Sequence, residues 1–166
     1  MKLDKIKNFA KDMRRNIVFT AYKAGSKSAH IGGALSVTDI VAVLYSNIMN
    51  VKKTKYLDDD RDRFILSKGH ACLAYYAALS VVGYIPKDKL KTFEKDDSDL
   101  LGHPVINRNL GIDFFSNIKS VLKEIFFNNS SLGMSKKIFL ISKLSKSDLV
   151  FKIQSNKDFL VFKKTS

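Results

Sequence analysis

Three histidines occur in the chain, and each has glycine as a neighbour or within two residues: Ala29-His30-Ile31-Gly32-Gly33, Gly69-His70 and Gly102-His103-Pro104. Imidazole is the side chain best suited to moving protons near neutral pH. Glycine allows tight turns and lets a ligand approach the backbone closely. Three such histidines in three loops predict one polar pocket assembled from loop ends. Metal binding is the competing use. The separations of 40 and 33 residues match no compact zinc pattern, and the lone cysteine, Cys72, does not supply one. The run Asp58-Asp59-Asp60 points three carboxylates in different directions and reads as a solvated turn, so no metal ligand is assigned.

These residues need elements to hold them. Arg61-Asp-Arg-Phe-Ile-Leu-Ser-Lys-Gly-His70 reads as a short buried strand over Phe64–Leu66, a turn at Gly69, and a helix running from His70 to Val82 with a stop at Gly83. A strand feeding a helix through a glycine turn favours anions, because free N–H groups and the positive helix end face the turn. Gly69 and His70 are therefore the expected anion-binding pair. Asp62 and Arg63 at the strand's start are expected to form structural pairs.

Leu3, Ile6, Ala10, Met13, Ile17 and Ala21 recur at three- and four-residue steps, predicting an amphipathic helix over 3–24 that ends at Gly25. Gly25 to Leu35 reads as a loop. The next helix is expected to start at Ser36, with Ser36 and Asp39 as a capping box and Leu35 and Ile40 as a staple, and to be buried over Val37–Met49. A polar linker follows over Val51–Asp60. Pro86 is placed to open a further helix with Leu90 and Phe93 inward. The acidic loop Asp96-Asp97-Ser98-Asp99 leads to His103.

The 166 residues suffice for one domain with a real core, and 45% hydrophobic content is ordinary for a globular chain. One cysteine excludes an internal disulfide framework and fits a reducing cytoplasm; its apolar helical setting suggests a small buried hydrophobe. The amino terminus has no continuous apolar stretch of a secretory signal, and no membrane span is expected. Net charge is +13. Residues 1–116 carry 19 basic and 13 acidic side chains; residues 117–166 carry 10 and 3. The lysines are scattered, so a nucleic-acid partner is not expected, whereas a positive field suits phosphorylated ligands.

Ser28-Ala-His-Ile-Gly-Gly-Ala-Leu-Ser-Val-Thr-Asp-Ile-Val-Ala-Val-Leu-Tyr45, Arg61-Asp-Arg-Phe-Ile-Leu-Ser-Lys-Gly-His-Ala71, Leu101-Gly-His-Pro104 and Gly111-Ile-Asp113 occur in this order. In order and spacing, residues 1 to about 116 resemble the amino-terminal, thiamine diphosphate-binding domain of transketolases. The short form, with little before His30, resembles the amino-terminal half of a split, two-gene transketolase. The resemblance implies an incomplete doubly wound α/β domain, mostly helical over residues 1–116. It implies transfer of a two-carbon ketol unit between sugar phosphates, with thiamine diphosphate and Mg²⁺ as cofactors. The cofactor would supply the chemistry and the protein placement and proton transfer. By the same resemblance His30 and His103 handle protons and substrate hydroxyls, and His70 with Gly69 holds the diphosphate. The implied partners are a second copy, giving a homodimer, together with a separate carboxy-terminal subunit. Family members can use an arginine before the Gly102 position for substrate phosphate; none stands there, and Lys91 and Lys95 are the candidate substitutes.

The resemblance stops after Phe114. The glycine-rich segment expected next is replaced by Phe115-Ser-Asn-Ile-Lys, and no Gly-Asp-Gly metal motif occurs. Residues 117–166 contain no alanine, proline or histidine and a single glycine, Gly133. Within this divergent basic tail, Ile118 to Phe126 fits a helix, and Lys137–Ile141, Leu149–Ile153 and Phe159–Phe162 fit short strands. The abrupt change suggests a reading frame disrupted near codon 117 and an inactive, truncated remnant of the domain. The alternative is a non-enzymatic binding protein that uses the tail on a partner chain or on nucleic acid.

Overall fold

A computed structural model describes residues 2–25, 29–51, 61–66 and 68–113, together with the backbone of three strands over 138–144, 147–153 and 159–163. The first helix, α1 (Lys2–Ala24), buries Ala10, Met13, Ile17 and Ala21, the stripe that the periodicity predicts. Leu3 departs from it and stays 59% exposed, because the first turns run past the core. Gly25 takes φ +79°, a left-handed conformation suited to glycine, and the helix ends there.

The second helix, α2, spans Ile31–Val43 and continues as a wider π-turn over Leu44–Ile48. It begins five residues before the expected Ser36, so neither the long loop nor the capping box exists. Ser36 donates instead to the Gly33 carbonyl at 2.9 Å, as serines inside helices do. Asp39 accepts from Arg14 of α1 through both carboxylate oxygens at 2.7 Å. Leu35 is 38% exposed and staples nothing. The apolar run Ile31–Ile48 is long enough, by length and composition, to cross a membrane, contrary to the sequence expectation. In this fold it packs against α1 and α3 (Cys72–Val82), with Val37, Val41, Ala42, Leu44 and Tyr45 buried.

Strand β1 (Arg63–Leu66) buries Phe64, Ile65 and Leu66. It pairs in parallel with β2 (Ile138–Leu144), Phe64 opposite Phe139 and Leu66 opposite Ile141. Strands β3 (Ser147–Ile153) and β4 (Phe159–Lys163) add antiparallel, giving the order β1-β2-β3-β4. The three tail strands thus fall on the expected segments, extended by three, two and one residues at one end, with Lys137 outside the described residues. The suggested helix over Ile118–Phe126, the Asp58–Asp60 run and most of the Val51–Asp60 linker lie outside the described residues. The architecture is an incomplete doubly wound α/β domain, mostly helical through residue 113, with one parallel strand pair among the described residues.

Beyond β1, a 3-10 turn over Gly69–Ala71 leads into α3, which is buried on every side from Cys72 to Leu79. A helix apolar all round belongs at the centre of a core. Gly83, at φ +93°, stops it as expected. Pro86 opens a 3-10 turn over Lys87–Thr92 rather than an α-helix, still with Leu90 and Phe93 buried.

Candidate functional site

The three glycine-flanked histidines converge. His30 precedes the first turn of α2, His70 sits in the turn after β1, and His103 lies in the loop before Pro104. The His30 and His70 rings are 4.5 Å apart at 73°, and the His70 and His103 rings 5.1 Å apart at 80°, an edge-to-face chain. All three side chains are exposed, while the backbone beneath them is packed.

The glycines explain how the rings meet. A Cβ on Gly69 would come within 2.7 Å of Cδ2 of His103. A Cβ on Gly33 would stand 3.2 Å from the His70 carbonyl oxygen. Gly33 therefore lets α2 press against the His70 turn, and Gly69 leaves room for the His103 ring. The His103 loop is held from below: Tyr76 donates its hydroxyl to the Leu101 carbonyl at 2.7 Å. Burial raises the Tyr76 pKa, so that hydroxyl keeps its proton.

A second polar cluster lies at the other end of β1. Arg61, 2% exposed, donates to both oxygens of Asp113 at 2.6 and 2.7 Å, and Arg63 approaches the same carboxylate at 3.5 Å. Burial opposes the Arg61 charge, but the hydrogen bonds and charge of Asp113 outweigh it, and its pKa is raised. The Tyr75 hydroxyl accepts from the Asp113 N–H at 2.8 Å and faces the Phe64 and Gly111 carbonyls at 3.2 and 3.3 Å. Burial pushes the pKa values of Tyr75 and its neighbour Tyr45 well above the ordinary phenol value. The carboxylate of Asp62 accepts from the Asn50 N–H at 2.8 Å. The structural pairing expected of Asp62 and Arg63 is therefore present. The dominant member, the Arg61–Asp113 pair, spans 52 residues and carries no local sequence signal.

Lys91 pairs with Asp88, an exposed contact that lowers the Asp88 pKa, and is not directed at the histidines. Lys68, which directly precedes the Gly69 turn, reaches α2, where its Nζ lies 3.3 Å from Ser36 Oγ. Cys72 is buried, and burial pushes its thiol up to about 12, which suits an inert core residue. Among the described residues no group of three or more His, Cys, Asp and Glu side chains could hold a metal ion.

Open glycine turns, a buried strand–turn–helix and converging imidazoles describe an exposed polar cluster at one end of a strand in an α/β domain. Residues 7–117 match the transketolase thiamine diphosphate-binding domain, and the chain belongs to that family. It is 38% identical over 111 residues to one subunit of the apulose-4-phosphate transketolase of Actinobacillus succinogenes, covering 66% of this chain and 40% of that one. It is 36% identical over 104 residues to the transketolase of Mus musculus, covering 63% of this chain and 16% of that one. The solved transketolase of Leishmania mexicana superposes with a TM-score of 0.56 at 29% identity, over 64% of this chain and 16% of that one. The chain thus spans well under half the length of these relatives.

Proposed function

We propose that the His30–His70–His103 pocket is the cofactor-side half of a transketolase site, whose reaction is transfer of a two-carbon ketol unit between sugar phosphates. What supports this reading is the convergence of three histidines from loops far apart in the chain. His70, on the Gly69 turn, would donate to a diphosphate oxygen of thiamine diphosphate. His30 and His103, on either side of it, would hold or move protons at substrate hydroxyls. When bound, the cofactor supplies the electron sink for the carbon–carbon bond change. Magnesium is a poorer fit. It needs oxygen ligands in octahedral array, and the side chains gathered here are imidazoles.

In this reading an intact family member works as a homodimer with a separate carboxy-terminal subunit. The relatives whose names specify one subunit of a transketolase support that division. This chain, without a Gly-Asp-Gly stretch, is an inactive remnant of such a subunit. Calorimetric titration with thiamine diphosphate tests it. The expected result is no magnesium-dependent tightening, and no ketol transfer when a partner subunit is added; tight magnesium-dependent binding would sink the inactive reading. The tail's ten basic and three acidic side chains favour a second reading, binding to an acidic partner or nucleic acid. That reading requires salt-dependent binding that disappears when residues 117–166 are removed.

A further inference from the structure

We propose that Glu94 is the positioning residue of His103: its side chain folds back onto Gly102 and sets the backbone from which the His103 ring reaches His70. The inference rests on the reading of His103 as the residue that meets substrate hydroxyls, and adds to it the residue that holds that ring in place.

Glu94 has an uncommon conformation. Its φ is +52°, left-handed backbone that a residue other than glycine rarely adopts. Asp97 is left-handed too, at φ +61°, but aspartate is a residue type that tolerates it. Strain of this kind persists where the surroundings over-determine it, and it gathers at sites that need a fixed geometry. Glu94 is exposed, so filling the core is not the reason. Instead the turn lets one residue grip the chain ahead of His103 at two points. The Glu94 N–H donates to the Leu100 carbonyl at 2.9 Å and closes the intervening loop. The Glu94 side chain then lies on Gly102: a Cβ there would collide with Oε1 and stand 2.8 Å from Cδ. Between these points the Leu101 carbonyl accepts from the Tyr76 hydroxyl at 2.7 Å. Leu100, Leu101 and Gly102, the three residues before His103, are each held, two of them by Glu94. The carboxylate is also felt on α3, where burial, and after it the Glu94 charge, raises the Cys72 thiol. At the far side the His103 ring rests over Gly69, with its centroid 5.1 Å from that of His70. Asp99, the acid of this loop nearest in sequence to Gly102, is engaged by Lys89 and Asn107.

The full chain is compared without ligand as wild type, Glu94→Gly, Glu94→Gln and Gly102→Ala. NMR follows the NOEs between the His70 and His103 rings, and circular dichroism follows thermal unfolding. Glycine accepts left-handed backbone without strain, so Glu94→Gly should unfold within about 3 °C of wild type. It should nevertheless lose at least half of the ring-to-ring NOE intensity. Glu94→Gln has the same length and should keep it. Gly102 has no positive φ, so alanine suits its backbone, and the added methyl displaces the flexible end of Glu94. Gly102→Ala should therefore release the ring as Glu94→Gly does, and combining the two should release it no further. An intact ring contact in Glu94→Gly overturns the proposal, as does equal loss in Glu94→Gln. So does a Gly102→Ala effect that is undiminished in the Glu94→Gly background. These measurements need no ligand, whereas the calorimetric titration with thiamine diphosphate bears on the functional reading alone, so failure of one is distinguishable from failure of the other.

Discussion

Two polar clusters flank the same short strand, and they have opposite character. At its start, Arg61, Asp113 and Tyr75 are packed away from water and bonded to one another through contacts of 2.6 to 2.8 Å. Beyond its end, His30, His70 and His103 are exposed and touch only edge to face. A buried polar group left unpaired is costly, so the first cluster must satisfy itself and is thereby committed to holding the fold. The second is left with donors and acceptors to offer. Burial and saturation, rather than residue type, separate the structural cluster from the one that can bind.

The largest effect is expected where that self-satisfaction is broken. Asp113→Ala leaves the Arg61 charge buried without its main partner and should cost about 3–5 kcal/mol, measured by denaturant unfolding. Replacing both partners by apolar residues should recover part of the loss, since the stranded charge is then gone. Tyr75→Phe removes the acceptor for the Asp113 N–H and should cost about 1–3 kcal/mol.

The same tyrosine predicts a pH dependence. Burial raises Tyr75 and Tyr45 above the ordinary phenol value, so the unfolded chain loses these protons first. Their contribution is intact below about pH 10 and falls as the pH climbs from there towards the raised values. Tyr75→Phe should flatten the decline in stability above that pH.

Smaller effects are expected at the exposed cluster. Gly69→Ala sets a methyl group 2.7 Å from the His103 ring and should displace it, at a cost of about 1 kcal/mol. Loss of the mutual ring-current shifts of His70 and His103 would report the displacement. His30→Ala should change stability by less than about 0.5 kcal/mol, as surface substitutions do. A loss comparable to that of Asp113→Ala would erase the distinction between the two clusters.

The meeting of the three histidines is legible in the sequence because its signal is local: a glycine at or near a histidine marks a turn that can bring an imidazole close to another loop. The α1 stripe, the Gly83 stop and the three tail strands are legible for the same reason, periodicity and punctuation being short-range. The Arg61–Asp113 pair is not, since nothing near either residue names the other. The start of α2 misleads because Ser36 and Asp39 imitate a cap and Gly32-Gly33 imitates a loop. Packing decides otherwise: the helix extends back to Ile31 so that Gly33 can meet the His70 backbone. The contact between Lys68 and Ser36 is hidden for the same reason, since the two lie 32 residues apart.

The parallel pairing of β1 with β2 has a consequence for synthesis. The strand ends at Leu66, while its partner is complete only at Leu144, 78 residues later. At about 5–20 residues per second, a ribosome takes roughly 4 to 16 s to make that stretch. During this interval helices α1 to α3 can already assemble from nearby segments, but β1 lacks the strand it pairs with. A nascent chain in that state displays an apolar strand edge, which makes chaperone capture during translation the expected fate of β1 before its own sheet can form.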